Sequence, residues 1–283
     1  MTRQRVLVVG ASGMLGHTLV PALRAFGFDA VAHGHSEGLD VSADTTEPDS
    51  AANMLNQVRP GTIINLVALT NADTCEEQPN NAYRLNVRSV ESLVNWIARN
   101  RNCRLIQIST DQVYDGKGPH QEANVVITNT YGLSKYAGEL AALRTDATVL
   151  RTNYFGPSRL ARRPSFSDWL IAKLRAREPF IGFDDVLFSP LSMDTLSKMV
   201  VRVIQTPVPG VYNLGSCDGQ SKAAFAVALA THFDLDASGM RHGSSSEVKL
   251  KAYRPSDMRM DCGLFETKFG VKLPSLQAEI EQL

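Results

Sequence analysis

With 283 residues, 29 basic and 29 acidic side chains and a formal net charge of zero, the chain has room for roughly two domains, or for one large α/β domain with an appended lobe. A balanced charge gives no global attraction to nucleic acid or to an anionic membrane, so an anionic ligand has to be met locally. The longest apolar runs, such as Ile63 to Leu69, fall far short of the roughly 20 residues that a membrane-spanning helix needs.

The opening Met1-Thr2-Arg3-Gln4-Arg5 runs straight into Val6-Leu7-Val8-Val9, which reads as a first strand rather than a secretory segment. A cytoplasmic location is the expectation. Short apolar runs then alternate with amphipathic stretches, the pattern of βαβ units around a parallel sheet covered on both faces. Strands are predicted over 5–9, 29–32, 62–68, 104–109 and 147–151, and helices over 15–26, 51–58, 82–99 and 131–143. The fold class is α/β, a doubly wound, Rossmann-like parallel sheet. Past Asn153, prolines at 157, 164, 179, 190, 207 and 209 cut the chain into shorter pieces, and helical periodicity returns over 195–204 and 222–232. Gly243-Ser244-Ser245-Ser246 reads as a flexible surface turn. Four scattered cysteines, Cys75, Cys103, Cys217 and Cys262, form no Cys-x-x-Cys pair, so reduced thiols are expected rather than a zinc site or a disulfide framework.

Between the first strand and the first helix stands Gly10-Ala11-Ser12-Gly13-Met14-Leu15-Gly16. Small residues there let the backbone approach a pyrophosphate at the positive end of the helix dipole. The spacing differs from Gly-x-Gly-x-x-Gly, and a tight turn alone explains glycines, but their place after the first strand favours a nucleotide. The second strand ends in His33-Gly34-His35-Ser36, without the carboxylate that usually binds the ribose hydroxyls of NAD. The cofactor expected is NADPH or NADH, with a lean to NADPH. His33 or His35 are candidate contacts to a 2′-phosphate, although an exposed polar turn accounts for both equally well. The division expected is a dinucleotide-binding domain over 1–153 and a smaller, interwoven substrate-binding lobe over 154–283, some segments of which return to the first domain.

Reducing a carbonyl takes a hydride, a proton donor for the developing alkoxide and polar groups around the oxygen. Tyr131 and Lys135 stand four apart, downstream of Ser109-Thr110-Asp111 at the end of a strand. Residues four apart share a helix face, which brings an ammonium near a phenol and favours ionisation of a group whose ordinary pKa is near 10. Thr110 is placed to hydrogen-bond the substrate oxygen, at the strand ends where open sheets bind ligands. A Tyr-x-x-x-Lys match arises often by chance; its combination with the glycine motif and Ser-Thr-Asp, in this order, argues for catalysis.

These motifs, with Asn65 to Thr70, Asn86, Ser109 to Gly116, Tyr131 to Glu139, Leu150 to Asn153 and Arg254-Pro255-Ser256-Asp257, resemble an extended short-chain dehydrogenase/reductase and, within it, the dTDP-4-dehydrorhamnose reductase family. The resemblance implies a catalytic Thr110, Tyr131 and Lys135. It places Met14 and Leu15 over the pyrophosphate beside Gly10, Gly13 and Gly16, Asp40 and Val41 near the adenine, Ala68 and Leu69 along the cofactor cleft, and Asn153 at the nicotinamide. Val113, Tyr114 and Arg254 fall on the substrate side. The substrate implied is a nucleotide-linked 4-keto-6-deoxy sugar, reduced to the 4-hydroxy sugar for polysaccharide or a glycosylated metabolite. Asn86 matches a supporting asparagine of the superfamily, with a helix-surface amide as the plain alternative, and Asp111 orients the loop rather than exchanging protons.

The chain departs from that pattern in places. Thr18 stands where the family can carry a magnesium-binding glutamate at a dimer contact, so no metal is expected; Ile127 replaces a proline before the tyrosine; and 158–178 match poorly. A homodimer is the assembly considered. For a nucleotide sugar, Arg159, Arg162, Arg163, Lys173, Arg175 and Arg254 offer cations and Phe166 or Trp169 a flat surface, against a solvated loop and a core anchor as the plain readings. Two alternatives stay open. One is a nucleotide-sugar epimerase or dehydratase that retains its NAD, against which Gln112 stands where dehydratases generally carry Glu. The other is a non-catalytic, dinucleotide-binding regulatory subunit, as found with methionine adenosyltransferase.

Overall fold

Val6, Leu7, Val8 and Val9 are fully enclosed, as an apolar run must be in a parallel strand covered on both faces. The structure, a computed structural model, describes residues 3–35, 38–161 and 163–283; Ser36 and Arg162, singled out above, lie outside these residues. Strands β1 (Arg5–Val9), β2 (Asp29–His33), β3 (Thr62–Asn65), β4 (Arg104–Thr110) and β5 (Thr148–Thr152) join the Gly210–Leu214 strand in one six-stranded sheet. The order is β2-β1-β3-β4-β5 and then 210–214, every pair parallel. The chain reverses direction across the sheet between β1 and β3, which is where open sheets of this kind form a ligand crevice.

Alternate residues of β1 serve opposite faces. Val6 and Val8 pack with Leu15, Leu19 and Leu23 of helix α1 (Met14–Ala25) and with the Met193–Gln205 helix. Leu7 and Val9 pack with Met54, Leu55 and Val58 of helix α2 (Pro48–Val58) and with the Ser89–Arg99 and Thr130–Ala142 helices. A separate core of Phe155, Phe188, Phe225 and Leu229 fills the lobe built by the Phe166–Ala176 and Lys222–His232 helices.

The predicted elements shift in three places. The strand predicted to reach 68 ends at Asn65, and the single helix predicted over 82–99 is a turn of helix at Pro79–Tyr83, a π-helical turn at Arg84–Arg88 and the Ser89–Arg99 helix. The Gly210–Leu214 strand, closing the sheet beside β5, is an addition. Gly243 to Ser246 is pinned rather than loose, since Asp185 accepts hydrogen bonds from Ser244 Oγ at 2.7 Å and from Ser245 N at 2.8 Å.

Candidate active site

The carboxyl ends of β1, β2, β3, β4 and β5 open on a groove of about 560 Å³ that contains Gly10, His33, Leu66, Thr110 and Asn153 from the successive strand ends. That volume is of the size that holds small-molecule ligands. A wider depression of about 800 Å³, bordered by Arg3, Arg5, Arg24 and Arg59, lies at the opposite end of the sheet, and its arginines Arg5 and Arg24 are neutralised by Asp29 and Asp40.

The backbone of the glycine loop forms one end of the groove. Gly10 has φ +83°, and a Cβ there would stand 2.9 Å from Val67 N; a Cβ on Gly16 would stand 2.3 Å from Ala11 O. Neither position admits a side chain. Gly13 caps α1 with no side-chain hydrogen bond, and the first turn holds no acidic residue, so its N–H groups and the positive end of the helix remain available to an anion. Gly10, Gly13, Met14, Leu15 and Gly16 all line the groove. The cradle fits a dinucleotide pyrophosphate.

His33 does not face that anion. Gly10 N donates to its Nδ1 at 3.3 Å and its Nε2 contacts Ala43 O at 3.0 Å, and burial holds its pKa below the ordinary imidazole value. It is a neutral brace behind the loop, leaving His35 on the groove wall. Asp40 and Val41 are also displaced from the expected adenine edge. Asp40 Oδ2 accepts from Ala32 N at 2.7 Å and from Arg24 Nη2 at 2.7 Å, which turns the carboxylate toward the outer face of the sheet, while Val41 packs against the core. Asp44, Thr45 and Thr46 line the groove instead, with Asp44 Oδ1 accepting from Thr46 N and Oγ1. The signal was Pro48, which opens α2 and so sets the residues just before it at the carboxyl edge of the sheet.

The catalytic half depends on close packing. Asn129 caps the Thr130–Ala142 helix by accepting from Gly132 N at 2.7 Å, and Glu76 accepts from Thr130 N and Oγ1. Gly132 lies so near the end of β4 that a Cβ would meet Gln112 O at 2.4 Å; on Gly138 it would meet Asn86 O at 2.3 Å. Asn86 is fully buried in the π-helical turn, accepting from Leu69 N at 2.7 Å and donating to Leu69 O at 3.1 Å and Ser134 Oγ at 2.8 Å. It clamps the loop after β3 to the helix that carries Tyr131 and Lys135. Ala68 lines the groove. The Leu69 side chain packs behind, in the cluster that includes Tyr131.

Tyr131, Lys135 and Thr110 converge on the groove. Lys135 Nζ donates to Ile108 O at 2.7 Å; burial pushes its pKa down to about 8, with the Glu139 carboxylate pulling it back up. The acidified phenol expected from the four-residue spacing does not follow from this packing. Burial drives the Tyr131 pKa upward, with only the Thr110 hydroxyl opposing, because the ammonium is directed at a backbone carbonyl. Thr110 Oγ1 accepts from Gln112 N at 3.1 Å and donates to Asp111 Oδ1 at 3.2 Å. Asp111 Oδ2 accepts from Asn153 Nδ2 at 2.7 Å, and burial pushes the carboxyl up to about 6 against the pull of Asn153 and Lys222. Asp111 thus holds Thr110 and Asn153.

Val113 and Tyr114 are not on the substrate side. Both are fully buried, because the 3-10 turn Asp111–Val113 directs the chain inward. Tyr114 OH donates to Asn213 Oδ1 at 2.7 Å and accepts from Arg151 Nη1 at 2.7 Å. Arg254 is held by Asp73 at 3.0 Å and by Ala252 O at 2.9 Å, and it does not line the groove. Of the other cations and aromatics, Arg163 and Phe166 reach the groove wall, and Trp169 stacks on Phe166 from outside with centroids 6.1 Å apart.

Residues 4–283 match the family described as the RmlD substrate binding domain. The chain belongs to this family. It is similar to the dTDP-4-dehydrorhamnose reductase of Escherichia coli strain K12, at 26% identity over 98% of this chain and 96% of the relative. It is also similar to the probable low-salt glycan biosynthesis reductase Agl14 of Haloferax volcanii, at 25% identity over 98% of this chain and 96% of the relative. Among solved structures, the dTDP-4-dehydrorhamnose reductase of Bacillus anthracis in complex with NADP has the same fold, with a TM-score of 0.90, 24% identity and coverage of 99% of this chain and 98% of that one. Within the RmlD family frame, Thr110, Tyr131 and Lys135 occupy three different positions on β4 and one helix face, and the groove brings them together.

Proposed function

We propose that the protein is a nicotinamide-dependent oxidoreductase that reduces the 4-keto group of a nucleotide-linked 6-deoxy sugar to the 4-hydroxy sugar. The observation that carries this is the meeting of Tyr131, Thr110 and Lys135 in the groove whose other end is the glycine cradle. When bound, the reduced nicotinamide supplies a hydride to the carbonyl carbon.

The chain's residues handle the oxygen. Tyr131, kept protonated by its enclosed position, is a loaded proton donor for the oxygen as negative charge develops there. Lys135 spends one of its three N–H donors on Ile108 O, leaving two toward a ribose hydroxyl and the nascent phenolate, whose charge the ammonium stabilises once the proton has left. Thr110 adds a hydrogen bond to the same oxygen when its hydroxyl turns from Asp111, and Asn153, tied to Asp111, fixes the nicotinamide side. Residues beyond Asn153 form the proposed substrate lobe, with Arg163 and Phe166 at the groove margin. The E. coli and B. anthracis relatives, named for dTDP-4-dehydrorhamnose, support the substrate class, and the B. anthracis complex with NADP supports NADPH, with His35 on the groove wall as its proposed contact.

No helix among the described residues is long and apolar enough to cross a membrane; the cytoplasm, where reduced nicotinamides and nucleotide sugars occur together, is the proposed location. Leu133 and Leu140, more than half exposed on the outer face of the catalytic helix, support a proposed homodimer. An epimerase or dehydratase is disfavoured by Gln112, whose neutral side chain accepts from Asn129. The intact Tyr131, Lys135 and Thr110 disfavour a purely regulatory subunit. Adding dTDP-, UDP- and GDP-linked 4-keto sugars to enzyme and NADPH should consume NADPH absorbance with one of them; silence with all three ends the proposal.

A further inference from the structure

Lys222 opens the Lys222–His232 helix after Ser221, whose Oγ accepts from Ala224 N at 3.1 Å. Its ammonium lies over two aromatic faces, 4.5 Å from the centroid of Phe166 and 5.4 Å from that of Phe188. Phe166 lines the groove, so the cation is seated against a ring of the groove wall without itself lining the groove. Among the described residues it makes no hydrogen bond and no ion pair closer than the aromatic contacts. Burial lowers its pKa, with the Asp111 charge raising it and the Arg254 charge lowering it.

The two cations differ. Arg254 is neutralised by Asp73 at 3.0 Å. Lys222 has three N–H donors and, among the described residues, no protein acceptor for any of them. A cation–π contact holds an ammonium in place but satisfies none of those donors, and the half-buried side chain leaves them to solvent. An oxyanion entering between the aromatic seat and the catalytic threonine replaces that solvent with charge-assisted hydrogen bonds to Nζ.

We propose that Lys222 is a specificity-determining residue that receives an oxyanion of the substrate at the far end of the groove. The assignment rests on the reading of the site as that of a nucleotide-sugar reductase, and adds to it the residue that selects an anionic substrate. The oxyanion has two possible sources with one chemistry: a phosphate of the nucleoside diphosphate, or a carboxylate carried by the sugar.

Calorimetric titration of UDP, dTDP, UDP-glucose and UDP-glucuronate into the NADPH-saturated protein tests it, using wild type, Lys222→Met and Lys222→Arg. Methionine keeps the apolar contact with Phe166 and removes the charge. The expected result is a loss of roughly tenfold or more in affinity for Lys222→Met, largely restored in Lys222→Arg, with NADPH affinity and thermal midpoint unchanged. A loss shared by the free diphosphates assigns the phosphate; a loss confined to UDP-glucuronate assigns the sugar carboxylate. Equal binding of all four by wild type and Lys222→Met overturns the assignment while leaving the reductase intact. If the wild type binds NADPH but neither any of the four nor GDP, the nucleotide-sugar reading itself falls and the assignment with it.

Discussion

Two polar clusters share the Thr130–Ala142 helix one turn apart, and they are built on opposite plans. Around Glu139 every group is matched: its carboxylate accepts from Arg151 Nε at 3.0 Å and Nη2 at 2.6 Å and from Ser109 Oγ at 2.5 Å. Arg151 Nη1 completes its fork on Tyr114 OH and Glu122 O, both at 2.7 Å. Around Tyr131 the groups are equally enclosed but underused, with Lys135 holding one acceptor and Thr110 sharing a single proton with Asp111. A saturated buried network stabilises one arrangement. An unsaturated one keeps donors free for a ligand, and its members' protonation equilibria are displaced by the same burial.

That contrast is broken most directly at Tyr131. Tyr131→Phe deletes a proton donor and leaves the packing, so turnover should fall by about 10²–10⁴-fold with the dissociation constant for NADPH within about threefold of wild type. Near-normal turnover, read from NADPH consumption, would place the proton source elsewhere. In the saturated cluster, Arg151→Met leaves Glu139 as an uncompensated buried charge. The expected loss is about 3–5 kcal/mol of stability, seen in urea unfolding, and a loss below about 1 kcal/mol would show the network to be replaceable.

The smallest effect is a pH dependence at Asp111. Its folded pKa of about 6 lies above the ordinary 3.8 of an aspartate, so the folded state binds the proton more tightly than the unfolded one. The stabilisation this gives is fully present below about pH 4 and lost as pH rises through 6. Asp111→Asn removes the titration, so the stability of the variant relative to wild type should rise between pH 4 and pH 7, by at most about 3 kcal/mol. Parallel stability curves for the two proteins would show that the carboxyl does not titrate in this range.

Much of the frame is legible in the chain, because β1 to β5 are apolar runs bracketed by polar turns and the glycine loop follows directly on one of them. The strand Gly210–Leu214 is hidden between prolines and Gly215, and its place is decided by pairing with β5 rather than by its own pattern. The catalytic positions are legible for a similar reason: strand end and helical spacing fix direction. Tyr114 is misleading, since a 3-10 turn rotates it from the groove into the Arg151 network. Asp40 and Asp44 are four apart in the same loop, and only the fold shows that the first is engaged by Arg24 and the second faces the groove. Lys222 looks like the first residue of an ordinary helix; its position over Phe166 and Phe188 joins segments far apart in sequence.

The Gly210–Leu214 strand has a further consequence. It is contributed only after the chain has passed through much of the lobe, and it covers the flank of β5 from Thr148 to Thr152, the strand that leads into Asn153. A fragment ending at Asn153 would expose that flank as a bare pairing edge. The segments after Asn153 and the sheet are therefore sewn together by their own backbone, and the proposed sugar-binding wall is anchored beside the strand that leads into the proposed nicotinamide contact.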